Sequence, residues 1–138
     1  MIPRLRPSSA RSTFLLIADD DFGSLKLLSR LLERWGQRLT LATNGREALD
    51  LFRKSAFDLV ILDIQMPQMD GLEVTRAIRE MEKDSGKHTP VIALTANALA
   101  GQRELCLAHG MDGYVSKPVA PGKLLEAMAL TIPAQGIK

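Results

Sequence analysis

The sequence predicts an α/β fold of three layers, with a five-stranded parallel sheet between two layers of helices. Three observations predict it. Five short apolar runs recur along the chain, successive runs starting about 20 to 30 residues apart, which leaves room for one crossover helix in each gap. The segments between them carry apolar residues at helical spacing. The first, third and fourth runs are apolar without alternation, the pattern of central parallel strands covered on both faces.

Taken in order, the elements are as follows. Residues 1–12 are rich in Pro, Ser and Arg and read as a disordered basic lead-in or linker. FLLIA, from Phe14 to Ala18, is the first strand. Leu25, Leu28, Leu32 and Trp35 then form one face of a helix, with Leu27 and Leu31 beside them and Gly36 as its stop. RLTLA, from Arg38 to Ala42, is more mixed and suits an edge strand. Asn44 and Glu47 stand three apart like a capping box, opening a helix with Ala48, Leu51 and Phe52 inward. LVIL, from Leu59 to Leu62, is the third strand; Asp70 and Glu73 repeat the capping pattern for a helix with Val74 and Ile78 inward. VIAL, from Val91 to Leu94, is the fourth strand, followed by a helix from Ala98 to His109 that ends at Gly110. GYV, from Gly113 to Val115, is short enough for the other edge. A last helix runs from Pro121 to Leu130 with Leu124, Leu125 and Met128 on one side; Pro133 and Gly136 mark a flexible tail over 132–138. One domain over residues 13–131 is therefore expected.

Composition narrows the function classes. The 138 residues include 46% hydrophobic and 25% charged, ordinary globular values. A net charge of +2 favours no particular partner, and Arg4, Arg6 and Arg11 in the lead-in read as a solvated tail, so no direct nucleic-acid binding is expected. Cys106 is the single cysteine, which excludes an internal disulfide and a Cys-based zinc site. No apolar run approaches the roughly 20 residues of a membrane span, and the start lacks a signal-peptide core. The expected setting is cytoplasmic.

In open α/β sheets the functional crevice lies at the carboxyl ends of the strands. Asp19, Asp20 and Asp21 follow the first strand, Asp63 the third, Thr95 the fourth, and Ser116 and Lys117 the fifth. Crowded carboxylates repel unless a positive charge joins them. Lys117 supplies one, and oxygen-only ligands would select a hard divalent ion, Mg²⁺ or alternatively Mn²⁺. Such a set suits phosphoryl transfer, with Asp63 as nucleophile. Each residue also has a plainer role open to it: Asp19 to Asp21 as helix caps, Thr95 as a strand residue, Lys117 as a surface lysine.

Four motifs, in this order and spacing, carry a family resemblance: IADDD (Ile17 to Asp21), LDIQMPQMDG (Leu62 to Gly71), IALTANAL (Ile92 to Leu99) and YVSKP (Tyr114 to Pro118). Over roughly residues 14–131 the chain resembles the receiver domain of two-component response regulators. The resemblance implies a flavodoxin-like sheet in strand order 2-1-3-4-5. It implies that Asp63 accepts a phosphoryl group from a phosphohistidine, and that Asp19 and Asp20 hold Mg²⁺ with Asp63 and the Gln65 backbone carbonyl. It further implies that Lys117 pairs with phosphoryl oxygens next to a cis Lys117–Pro118 bond. Thr95 and Tyr114 would form the switch, and Gln65 and Asn97 would occupy positions that tune phosphate lifetime.

The wording of the motifs looks most like receivers of hybrid sensor histidine kinases. That implies a sensor histidine kinase or a histidine-containing phosphotransfer protein as partner, met through Phe22, Leu25 and Pro118. His88 and His109 resemble no phosphorylated-histidine motif, so the output is expected from another protein or domain. The chain itself is expected to be a signalling domain rather than an enzyme, with self-catalysed phosphoryl acceptance and slow autodephosphorylation only. Two other readings are weighed. A metal-dependent phosphohydrolase would want an acid two residues after the nucleophile, where Gln65 stands. A non-phosphorylated interaction scaffold would use the same fold without the chemistry.

Overall fold

The structure, a computed structural model, describes residues 13–96 and 101–131. Among these residues the elements alternate strictly: β1 (Phe14–Ala18), α1 (Phe22–Arg34), β2 (Arg38–Ala42), α2 (Gly45–Lys54), β3 (Leu59–Asp63), α3 (Gly71–Glu82), β4 (Val91–Thr95), α4 (Gln102–Ala108), β5 (Gly113–Ser116) and α5 (Pro121–Thr131). The five strands are parallel and ordered β2-β1-β3-β4-β5, as expected. The chain therefore reverses its direction of travel across the sheet between β1 and β3, and the crevice of such a sheet opens there.

Alternation along the strands sorts their side chains into two cores. Leu16, Ala18, Val60, Leu62, Val91 and Ala93 face one side, where Ala48 of α2, Val74 and Ile78 of α3 and Cys106 of α4 cover them. Leu15, Ile17, Leu59, Ile61, Ile92 and Leu94 face the other, under Leu25, Leu28 and Leu32 of α1 and Leu124 and Met128 of α5. β1, β3 and β4 are buried on both faces, which is why their sequences lack alternation. In α2, Leu49 is buried with Ala48, while Leu51 and Phe52 are only partly covered. Both pack against that core as expected, with Phe52 stacked beside Phe57.

Helix starts follow the sequence signals. Asp70 caps α3 in a full capping box with Glu73, and Asn44 caps α2 by accepting from Glu47 N. The fourth helix was expected from Ala98; its described part begins at Gln102, and Asn97 to Ala100 lie outside the described residues, as do the lead-in and the tail.

At the amino end of the sheet Arg79 ties three segments together. Its guanidinium donates to Glu82 Oε1 at 2.7 Å, Asp112 Oδ2 at 2.9 Å, and the carbonyls of Thr89 and Gly110. Glu82 is buried and also accepts from Thr89 N. Losing the cation would leave a buried carboxylate unpaired. Arg79→Met is expected to cost about 3 kcal/mol in urea unfolding; a loss under about 1 kcal/mol would show that the network is solvated and contributes little.

Candidate functional site

The site is built by strands that stop level with one another. β3 ends on Asp63 itself, which pairs in register with Leu94; β4 ends on Thr95, which pairs with Ser116. β1 ends on Ala18, so Asp19 is the next residue, held where Asp19 N donates to Ala42 O at 3.1 Å. Lys117 follows β5, fixed by its own N–H to Thr95 O at 2.8 Å. Apolar strands thus deliver four chemically active side chains to one edge, with their backbones fixed by the sheet.

The three adjacent aspartates separate into distinct positions. Asp21 turns back as the α1 cap, accepting from Gly23 N at 3.1 Å and Ser24 Oγ at 3.0 Å. Asp19 is fully buried, and Asp20 is exposed at the rim. Oxygens of Asp19, Asp20 and Asp63 lie within 4.8 Å of one another. Lys117 Nζ sits 3.0 Å from Asp19 Oδ2 and 3.2 Å from Asp63 Oδ2. Three carboxylates against one ammonium leave two negative charges in a largely buried site.

The electrostatics register this excess. Burial, then the charge of Asp19, raises the Asp63 carboxyl to about 6, although Lys117 pulls it down. For Lys117, burial pulls the ammonium down, but the carboxylates of Asp19 and Asp63 outweigh it and the net shift is upward. The donor set therefore fits a divalent cation on two counts. It is made of oxygens, the chemistry hard ions select. It also includes Asp19 Oδ2, a buried oxygen with a charge contact to Lys117 but no hydrogen bond. A cleft of about 580 Å³ lined by Asp20, Gln65, Met66, Pro67 and Asp70 opens beside it.

The remaining expected residues fall as follows. Gln65 is exposed at the cleft, and its N–H donates to Asp63 Oδ1 at 3.2 Å. Thr95 is buried, 4% exposed, at the end of β4. Tyr114 is half-buried on β5, two residues before Ser116 and on the face of the sheet shared with Ala93. The Lys117–Pro118 bond is cis and Pro118 is exposed. Phe22 is 75% exposed at the start of α1. Leu25 requires a correction as a partner contact: it is 4% exposed and packs in the core with Leu28 and Leu32, three and seven residues on. The exposed leucine of α1 is Leu27, at 60%, on the adjoining face.

Known proteins share this architecture. Residues 15–129 match the family model of the response regulator receiver domain. Hybrid signal transduction histidine kinase I of Dictyostelium discoideum is 42% identical over 119 residues, covering 83% of this chain and 7% of that protein. The chain thus spans under a tenth of that relative's length. The receiver domain of sensor histidine kinase PA1611 from Pseudomonas aeruginosa, solved with a magnesium ion coordinated in its active site cleft, superposes with a TM-score of 0.77. It is 33% identical and covers 87% of this chain and 98% of its own. A co-crystal structure of the Saccharomyces cerevisiae histidine phosphotransfer protein Ypd1 with the receiver domain of Ssk1 gives a TM-score of 0.77. Its identity is 26%, with 92% of this chain and 97% of that chain covered. With a family model matched over nearly all of its described residues and a relative above 40% identity, this chain belongs to the response regulator receiver domain family.

Proposed function

We propose that the chain accepts a phosphoryl group on Asp63 from a phosphohistidine of a sensor kinase or a histidine-containing phosphotransfer protein. The observation that carries this reading is the placement of Asp63 at the end of β3, between Lys117 and the Asp19–Asp20 pair. A carboxylate oxygen of Asp63 attacks the phosphorus, the P–N bond to the imidazole breaks, and the imidazole leaves with its bonding pair and takes up a proton. Lys117 neutralises charge on the phosphoryl oxygens, and the Thr95 hydroxyl donates to one of them. Asp19, Asp20, Asp63 and the Gln65 carbonyl would hold Mg²⁺, or Mn²⁺ in its place, which when bound neutralises the phosphoryl charge. Drawing Thr95 towards the phosphate vacates space on the face it shares with Tyr114. The phosphorylated state then favours an inward Tyr114 and a changed α4–β5 surface.

The partner surface lies beside the site. Phe22 and Leu27 are exposed, and a groove of about 730 Å³ runs between α1 and α5, lined by Leu27, Leu31, Val119 and Pro121 among others. An apolar patch of this kind suits a helical phosphotransfer partner. The Ypd1 complex, solved with a receiver of the same fold, supports this choice. The likeness to a hybrid kinase supports a parent protein that is itself a histidine kinase, and a buried free Cys106 suits a reducing, cytoplasmic setting.

Three outcomes test the proposal. Acetyl phosphate with Mg²⁺ adds one phosphoryl group by intact mass, and Asp63→Asn adds none; equal labelling of the variant would remove Asp63 from its role. Leu27→Ala and Phe22→Ala each weaken binding to a histidine phosphotransfer protein about tenfold by calorimetry, as truncated interface anchors do. Unchanged affinity in both would move the interface elsewhere.

The third outcome concerns pH. The folded Asp63 carboxyl, at about 6, lies above its unfolded value of 3.8. Its contribution therefore favours folding below pH 4 and is lost as pH rises through 6. In metal-free protein, wild type should lose stability relative to Asp63→Asn between pH 5 and pH 7.5, by thermal melting. Adding Mg²⁺ at pH 7.5 should recover the loss in wild type and do little for the variant. A stability difference independent of pH would show that Asp63 is ionised at ordinary carboxylate pH.

A further inference from the structure

We infer that Gly45 is a positioning residue for the metal cleft: the first turn of α2 abuts the β3–α3 loop at Met69 and sets where that loop lies. This rests on the proposed reading of the cleft as a Mg²⁺ site that uses the Gln65 carbonyl. Gly45 is buried at the first position of α2, directly after the Asn44 cap. A Cβ there would fall 1.8 Å from the Met69 carbonyl oxygen and 2.7 Å from its carbon. Both are backbone atoms, so no side-chain rotation relieves the overlap. By contrast, a Cβ at Gly122, near the start of α5, would meet nothing within 4 Å. The close approach is a property of this junction rather than of helix starts in general.

The loop facing Gly45 is closed on itself. Gly71 N donates to Ile64 O at 2.9 Å, and Met69 N donates to Pro67 O at 2.7 Å. Gln68 holds φ at +70°, a left-handed conformation unusual for its type. On the α3 side there is no slack, because a Cβ on Gly71 would fall 2.5 Å from the backbone oxygen of Asp63. The ring is pinned at its base, where Ile64 N donates to Leu94 O at 2.9 Å, so pressure on Met69 is taken up by residues 65–68 between. That span carries Gln65, whose N–H holds Asp63 Oδ1. Displacing it changes both the position of the Gln65 carbonyl and the aim of the phosphoacceptor.

The test is Mg²⁺ affinity of the full chain by calorimetry, beside thermal stability. Gly45→Ala is expected to weaken Mg²⁺ binding tenfold or more, the range seen when supports of metal ligands are changed. Gly122→Ala should leave it within twofold. Leu49→Ala, a core truncation in the same helix, should lower the melting temperature while leaving Mg²⁺ affinity unchanged. Gly45→Ala with wild-type affinity and only a lowered melting temperature would mean that α2 gives way instead of the loop, and would overturn the inference. If Gly45→Ala does not fold, Glu73→Ala decides. Releasing the exposed cap should leave Mg²⁺ affinity within twofold if Gly45 holds the loop, and a tenfold loss would assign that task to the cap and overturn the inference. A wild-type chain that binds no Mg²⁺ would instead overturn the metal reading on which this one stands.

Discussion

The constraint on which the rest of this structure depends is the excess of negative charge at the carboxyl edge of the sheet. Asp19 and Asp63 are buried within reach of a single ammonium, with Asp20 at the rim. Ionised carboxylates in such a place are costly, and packing alone does not remove that cost. The fold tolerates them because the strands that carry them are among the most thoroughly buried in the molecule. β1, β3 and β4 are covered on both faces, and their backbones are held by parallel neighbours. Stability elsewhere holds the unfavourable geometry in place. The result is a site with an unmet demand for positive charge, which a divalent ion would answer.

The same constraint explains why Lys117 is anchored so firmly. Its backbone N–H is bonded to Thr95 O, so the β4 end and the lysine keep a fixed separation. Its ammonium reaches both buried acids, and their combined charge holds it protonated against its own burial. A phosphoryl group on Asp63 would compete for this contact. Thr95 and Lys117 are thus joined through the backbone at the point where the new charge arrives, and Tyr114 lies three residues before the lysine on the strand leading to it. Local chemistry at Asp63 has a short physical route to the outer face of β5.

Much of this was legible in the sequence because the determinants are local. The apolar runs gave the strands, the Asn44–Glu47 and Asp70–Glu73 pairs gave two helix starts, and the residues after four of the five runs are those the structure gathers at one edge. What was not legible depends on how elements meet. Spacing alone left the three aspartates equivalent and only the family resemblance set Asp19 and Asp20 apart; in the structure Asp21 turns back to cap α1, accepting from Gly23 N and Ser24 Oγ. Leu25 and Leu27 are two residues apart and both apolar. Their roles differ by the phase of α1 on the sheet, which is set by Leu28 and Leu32 and buries one while exposing the other. Arg79 gave no signal, since three of its four partners, Thr89, Gly110 and Asp112, lie beyond its own helix.

Glycines show the same limit from another side. Gly45 follows Asn44, a pair that reads as turn material, and Gly71 follows the Asp70 cap. Neither has a positive φ among the described glycines; those are Gly36, Gly86, Gly101 and Gly110. Gly45 and Gly71 are small because backbone from another segment occupies the space a side chain would need. That distinction divides the glycines of this chain by function. Gly36, Gly101 and Gly110, with left-handed backbones, sit at helix ends, and Gly86 lies in the turn after α3. Gly45 and Gly71 mark where α2 and α3 close on the loop after Asp63. Asp63 is supplied by the strand, but its surroundings are held by contacts that leave no atom to spare.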